Sequence, residues 1–374
     1  MEPLKFGVTV GRGAAVGADA KRAEDLGFDS VWVGEHVVWR HPMYDGLMLL
    51  AAAAMTTKRI LLGTSILLLP LKHPVLVSKA VTTLDHLSNG RAVLGVGIGG
   101  EYPKEFNAMG IRREERGPRT NEAMQLMKRL WTEPSVTFNG RFFQLNDVGL
   151  EPHPIQKPHP PMLVGGRRGS LKRTALYGDG WMPYMYTPEM YRDDLKQIEE
   201  IASAAGRDPS KLWRTLYVFT SVADKYEQAA QWATTALGTN YAQDFNKLVH
   251  KYPLVGTPQQ VAERMQQFID AGVRYFIFAP VGQWLQDGTT RRLMPISISV
   301  KNVPDDVAEK LRQRAARNHR SLQGEVLQIL EQAASGRPVE KRLTVEEASQ
   351  RIKALGIKTG DDATRLIREM RDSR

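Results

Sequence analysis

Apolar positions along the chain fall into eight short runs separated by stretches with helical spacing. The runs are LKFGVTV (4–10), FDSVWVG (28–34), RILLGTSI (59–66), RAVLGVGIG (91–99), PMLVGG (161–166), GDGWMP (178–183), LYVFTSV (216–222) and VRYFIFAP (273–280). Continuous apolar runs of this length fit parallel strands covered on both faces. Helical patterns lie between them, among them a segment rich in Ala and Met (45–57), residues 74–88 and residues 114–131. Eight strand–helix units predict a TIM (β/α)8 barrel rather than an open doubly wound sheet. Chemistry in such a barrel sits where strands end and loops begin. That rule selects Glu35 and His36, Thr64 to Ile66, Gly97 to Glu101, Gly165 to Arg168, and Gly180 with Trp181.

Beyond the eighth unit the period changes. PISISVK (295–301) alternates strictly, with Ile296, Ile298 and Val300 on one face and Ser297, Ser299 and Lys301 on the other. A half-buried strand is predicted. Asn302, Pro304, Asp305 and Asp306 then open a helix whose apolar face carries Val307, Leu311 and Ala315. After a break at Asn318–Arg320, Ser321 caps a second helix striped with Leu322, Val326, Ile329 and Leu330. One strand and two helices cannot close a core, whereas two copies can, by pairing strands into an antiparallel ribbon. A polar loop (335–342) and an amphipathic segment starting at Thr344 complete the chain. The expected organisation is a barrel over 1–293, a strand–helix–helix module over 294–334 and a tail over 335–374.

Composition narrows the chemistry. The 374 residues include no cysteine, which excludes disulfides, thiolate metal sites and cysteine nucleophiles. No apolar run reaches the roughly 18 residues of a membrane span, and MEPLKFGVTV enters a strand at once, so a cytoplasmic protein without a signal peptide is expected. The net charge is +10. From Pro295 onward, 16 Lys and Arg stand against 12 Asp and Glu, and within 301–320 six bases face three acids. That local excess suits an anionic partner.

Gly95, Gly97 and Gly100 satisfy a GxGxxG spacing after a strand. The stretch EYPKEFNAMGIRREERGPR that follows reads as a loop, and a dinucleotide-binding unit would open a helix there. The glycines are better read as letting backbone approach a flat or phosphorylated ligand.

The segments AEDLGFDSVWVGEH, GTSILLLPLKHPVLVSKAVTTLDHLSNGRAVLGVGIGGEYPKEFNAMG, ERGPRTNEAMQLMKRLW and PHPPMLVGG resemble the luciferase-like monooxygenase superfamily, in particular its branch of oxidoreductases using the deazaflavin coenzyme F-420. The resemblance covers about residues 4–290. It implies a deazaflavin, or alternatively FMN, lying across the C-terminal ends of the strands, and hydride transfer to or from a small-molecule substrate. Glu35 and His36 match the acid–His position after the second strand. A cis peptide is implied at Ser65-Ile66, beside Thr64. Gly97, Gly99, Gly100 and Glu101 match the loop after strand four, and Gly165, Gly166 and Arg167 the phosphate-binding loop.

A deazaflavin carries a hydride without metal or covalent nucleophile, so the protein must bind the ring, position a substrate and handle one proton. His36 suits the proton, with Glu35 orienting it or acting itself. Arg167 suits the anionic tail or phosphate, while Lys172 and Arg173 read as surface charges. Trp181 and Met182 line the ring pocket or pack the core, and the loops 36–46 and 238–257 set the substrate. Two departures from the family pattern stand out. The tryptophan of the sugar-phosphate dehydrogenases falls one position away, at Trp39, and the last barrel helix ends early at QDGTTRRLM.

Residues 295–334 resemble ribbon-helix-helix antitoxins of the FitA/VapB type. The resemblance implies a homodimer, to which the barrel also contributes or not. It implies operator DNA read by Ser297, Ser299 and Lys301, with Arg320 and Ser321 on phosphates. It further implies a tail able to hold a PIN-domain toxin, through Arg368 or Arg371. The chain thus reads as a fusion near Met294.

Overall fold

A computed structural model describes residues 3–11, 13–240, 244–282 and 305–318, together with Glu325, Val326 and Ile329. The chain divides into two compact units, Met1–Pro295 and Ile296–Arg374.

In the first unit the strands are β1 (Lys5–Thr9), β2 (Ser30–Val33), β3 (Leu61–Thr64), β4 (Leu67–Leu68), β5 (Ala92–Gly97), β6 (Val136–Asn139), β7 (Gln144–Val148), β8 (Met162–Gly165), β9 (Gly180–Met182), β10 (Trp213–Val222), β11 (Leu254–Gly256) and β12 (Tyr275–Pro280). Eight of them pair in parallel around a ring in the order β1-β2-β3-β5-β8-β9-β10-β12. Val8 pairs with both Val31 and Phe278, which closes the cylinder. Each expected apolar run contains one barrel strand, trimmed at the ends, except LYVFTSV (216–222), whose strand β10 begins earlier, at Trp213. Four short strands lie off the ring. β4 continues alongside β5, β11 adds to the end of β10, and β6 with β7 makes an antiparallel hairpin that the apolar pattern did not reveal.

Strand alternation decides what fills the barrel. Outward residues such as Leu94, Val96, Met162, Val164, Phe276 and Phe278 pack under the helices. Inward residues Trp32, Val93, Leu163, Tyr275 and Ile277 form a separate cluster. Trp32 is fully buried. Its indole N–H donates to Ser30 Oγ at 2.5 Å, and Gly7 and Gly63 on the flanking strands leave room for its ring. Toward the C-terminal ends the inward side chains shrink, from Val93 through Gly95 to Gly97 on β5, from Leu163 to Gly165 on β8, and from Ile277 to Ala279 on β12. The barrel is therefore plugged below and hollow above.

The loop after β2 is fastened by Glu35, which is 5% exposed. Its carboxylate accepts from Gly46 N (3.3 Å) and Leu68 N (3.4 Å) and pairs with Lys72 Nζ (3.4 Å). Asp45, which caps helix Gly46–Thr56, also pairs with Lys72. In the second unit a helix spans Asp305–Arg317. Ala315 is buried and Val307 is 40% exposed, and Arg314 and Asn318 both hydrogen-bond the Glu325 carboxylate.

Burial raises the Glu35 pKa, against the opposing pull of Lys72. An acid whose folded pKa is raised contributes stability that is present below its unfolded pKa and lost as pH rises through the folded value. Glu35→Gln is therefore expected to gain thermal stability relative to wild type as pH rises from about 4.5 towards 7.5. Melting curves across that window check it, and a difference that stays flat or falls with rising pH contradicts it.

Candidate active site

The hollow end of the barrel is a cavity of about 1410 Å³ at the C-terminal ends of the strands. Its floor is backbone. A Cβ built on Gly97 would lie 1.8 Å from Ile66 Cδ1, and one on Gly165 would lie 2.7 Å from Ile66 Cγ2. Ile66 follows a cis peptide from Ser65. Only glycine at these two places lets the Ile66 side chain lie flat between β5 and β8, and together they form a platform.

The expected site residues largely converge on this cavity. Glu35, His36, Ser65, Ile66, Gly97, Gly99, Gly100, Glu101, Gly165, Gly166 and Arg167 all line it, as does Met182. Thr64 does not, and its expected ligand contact is corrected. Its side chain is fully buried and its hydroxyl donates to Gly95 O at 2.7 Å, tying β3 to β5. Trp181 belongs to the core, edge-on to Tyr186 and tilted against Tyr191. Of the two loops expected to set the substrate, 36–46 supplies Trp39 and Met43, whereas on the far side the lining among the described residues comes from helix Tyr226–Asn240.

His36 has a different partner from the one adjacency suggested. Its Nδ1 lies 3.1 Å from Glu105 Oε2, and Glu105 is fully buried. The other Glu105 oxygen accepts from Val37 N (2.9 Å) and Val38 N (3.3 Å). A carboxylate only accepts, so the arrangement places the proton on Nδ1 and leaves Nε2 as the nitrogen available for chemistry. Trp39 covers one face of the ring, its indole stacked on the imidazole with centroids 3.7 Å apart and planes 14° apart. Glu35 faces Lys72 instead, so its role is to fasten the loop that carries His36. Glu105 lies on helix Pro103–Ala108, inside a stretch expected to be loop. The helix opens with Pro at its first position, a signal present in the sequence.

Positive charge gathers at one side of the rim. A Cβ on Gly100 would meet Arg116 Nε at 3.1 Å and Arg113 Nε at 3.3 Å. Arg116 Nε is buried with no hydrogen-bond partner, and Ser65 Oγ at the platform is likewise buried and unpartnered. Arg173 is 8% exposed rather than a surface charge, bonded to Asn121 Oδ1 (2.6 Å) and Gly117 O (3.1 Å). Helix Leu171–Tyr177 turns it inward onto helix Arg116–Thr132, while Lys172 points out. Arg167 lies over the Tyr252 ring at 5.9 Å. These partners are neutral, so the arginines bring net positive charge to the cavity. Glu101 accepts from Tyr184 Oη at 2.9 Å, and burial raises the Tyr184 phenol well above its ordinary pKa.

Ser297, Ser299, Lys301, Arg320 and Ser321, expected on DNA, lie outside the described residues, as do Arg368 and Arg371 of the tail.

Comparison with known proteins agrees with this geometry. Residues 297–334 match the family model for FitA-like ribbon-helix-helix antitoxins. An F-420-dependent glucose-6-phosphate dehydrogenase of Kineococcus radiotolerans is 32% identical over 298 residues, covering 71% of this chain and 86% of the relative. One from Amycolatopsis mediterranei is 30% identical, covering 69% and 86%. Among solved structures, the monooxygenase RslO1 from Streptomyces bottropensis superposes with a TM-score of 0.66 at 28% identity, covering 78% of this chain and 97% of that one. An F-420-dependent secondary alcohol dehydrogenase superposes with a TM-score of 0.65 at 24% identity, covering 74% and 93%, which shows the shared fold. With residues 10–275 matching the luciferase-like monooxygenase model, the chain belongs to that family.

Proposed function

We propose that the barrel is an oxidoreductase that transfers a hydride between coenzyme F-420 and a small organic substrate, with His36 as the proton-handling group. The observation that carries this reading is the pairing of a glycine-floored platform with an arginine cluster whose Arg116 Nε is buried and unpartnered. The residues fit the coenzyme. Gly97, Gly165 and Ile66 would take the flat ring, Ser65 Oγ supplies an unused hydrogen-bonding group beside it, and Arg113, Arg116, Arg167 and Arg173 would meet the phosphate and carboxylates of the tail. When bound, the coenzyme supplies the two-electron carrier.

The protein's own contribution is orientation and a proton. Glu105 and Trp39 hold the imidazole from its edge and its face, and Nε2 can hold or release the proton that accompanies hydride transfer. The family membership and the F-420-dependent relatives support the coenzyme assignment. FMN, with one phosphate and a similar ring, is the alternative. The matching test is titration of purified protein with each cofactor, followed by ring fluorescence. F-420 is expected to bind more tightly than FMN, and Arg113→Ala or Arg167→Ala is expected to weaken it about tenfold, the effect of losing one charge-assisted hydrogen bond. Equal affinity in both variants overturns the placement of the tail.

Glu105 is expected to act through His36. Glu105→Gln should lower kcat about tenfold or more and move the ring 15N chemical shifts of His36, read by NMR, because Nδ1 loses its carboxylate acceptor. Unchanged His36 ring shifts contradict the pairing.

A second reading concerns the other unit. The ribbon-helix-helix match and the basic helix Asp305–Arg317 support pairing of two chains and binding to operator DNA, with Lys301 in the groove. Affinity for a palindromic duplex should fall steeply with salt, and Lys301→Ala should weaken it. Binding that ignores salt would sink this reading.

A further inference from the structure

We infer that the substrate is an uncharged alcohol, or the matching carbonyl compound, on an apolar ring-sized body, and that sugar phosphates are excluded. The inference rests on the coenzyme reading for the orientation of the cavity and on the distribution of its lining for the rest.

Among the described residues, every ionisable Lys, Arg, His, Asp or Glu side chain lining the cavity belongs to the segments that follow β2, β5 and β8. These are Glu35 and His36, then Glu101 and Arg113, then Arg167 and Arg173. The other half, built by β10, β12 and helix Tyr226–Asn240, presents Tyr217, Phe219, Trp232, Leu237, Ala279 and Val281. Its polar members, such as Gln231, are neutral. Of these three arginines, Arg167 lies over an aromatic ring, that of Tyr252, at 5.9 Å.

A sugar phosphate carries close to two negative charges and a belt of hydroxyls. Seated in the apolar half it would lose water without gaining a cation from any described lining residue, a loss that disfavours unpaired anions in such surroundings. Seated on the arginines it would contest the place of the coenzyme's own anionic tail. An apolar body suits the same surface because its burial releases water. His36 stands on the loop after β2, between the two halves. The carbinol C–H would leave as hydride to the deazaflavin ring, reducing it by two electrons. The hydroxyl proton would pass to His36 Nε2, and the carbonyl product would remain. The reverse reaction returns both.

Binding of 1-phenylethanol, acetophenone and glucose 6-phosphate to the full-length protein, with and without F-420, tests the inference by saturation-transfer NMR and calorimetry. The two aromatic compounds should bind at least tenfold more tightly than the sugar phosphate. Trp232→Ala should weaken them at least fivefold, with Trp232→Phe recovering most of the loss. Gln231→Arg, at an exposed position, should weaken acetophenone and strengthen glucose 6-phosphate. Glucose 6-phosphate binding as tightly as acetophenone, or aromatic affinity untouched by both Trp232→Ala and Gln231→Arg, overturns the proposal. F-420 affinity is measured separately on the same samples. Failure to bind F-420 alongside intact aromatic binding would remove the coenzyme reading alone, and the reverse result would remove only the substrate class.

Discussion

The site depends on one constraint, the two-residue alternation of side chains along parallel strands that close on themselves. Every second residue must enter a cylinder of fixed radius, so interior volume is set by a short list of positions. Here Trp32, Val93, Leu163, Tyr275 and Ile277 fill one end, and Gly97, Gly165 and Ala279 leave the other end open. Changing any of the last three to a larger residue would fill the cavity with protein. The same alternation commits the outward residues to the helices, so core and cavity are specified together by strand register.

This also explains what could be read from sequence. The eight barrel strands were legible because burial on both faces leaves continuous apolar runs, and each strand but β10, which starts three residues early at Trp213, lies within its run. The β6–β7 hairpin was not legible, since VTFN and QLNDV are largely exposed or half-exposed and carry no such signature. Glycines at the ends of β5 and β8 were legible as sites of close approach. Thr64 was misjudged because position along a strand does not state which face a residue takes, and its hydroxyl is consumed by Gly95 O.

The His36–Glu105 pair shows a harder limit. The two residues are 69 positions apart, and one is held by a helix of six residues that periodicity cannot detect. Glu35, the neighbour in sequence, suggested itself as the partner. Successive residues leaving a strand point in different directions, however, and Glu35 turns to Lys72 and the amides of Gly46 and Leu68. Arg173 failed in the same way, since a basic pair at a helix start looks solvated until a second helix packs over one member. Sequence located the loops that make the site, and only tertiary contact assigned their partners.

The arginine cluster ties function to stability. A buried polar group without a partner costs about 1–3 kcal/mol, and Ser65 Oγ at the cavity and Arg116 Nε beside Gly100 are two such groups. A ligand that supplies acceptors to these atoms would remove that cost. An anionic coenzyme would supply them, and its binding free energy would then add directly to folding stability through linkage. Polar atoms left without partners thus lie among the side chains proposed to hold the coenzyme.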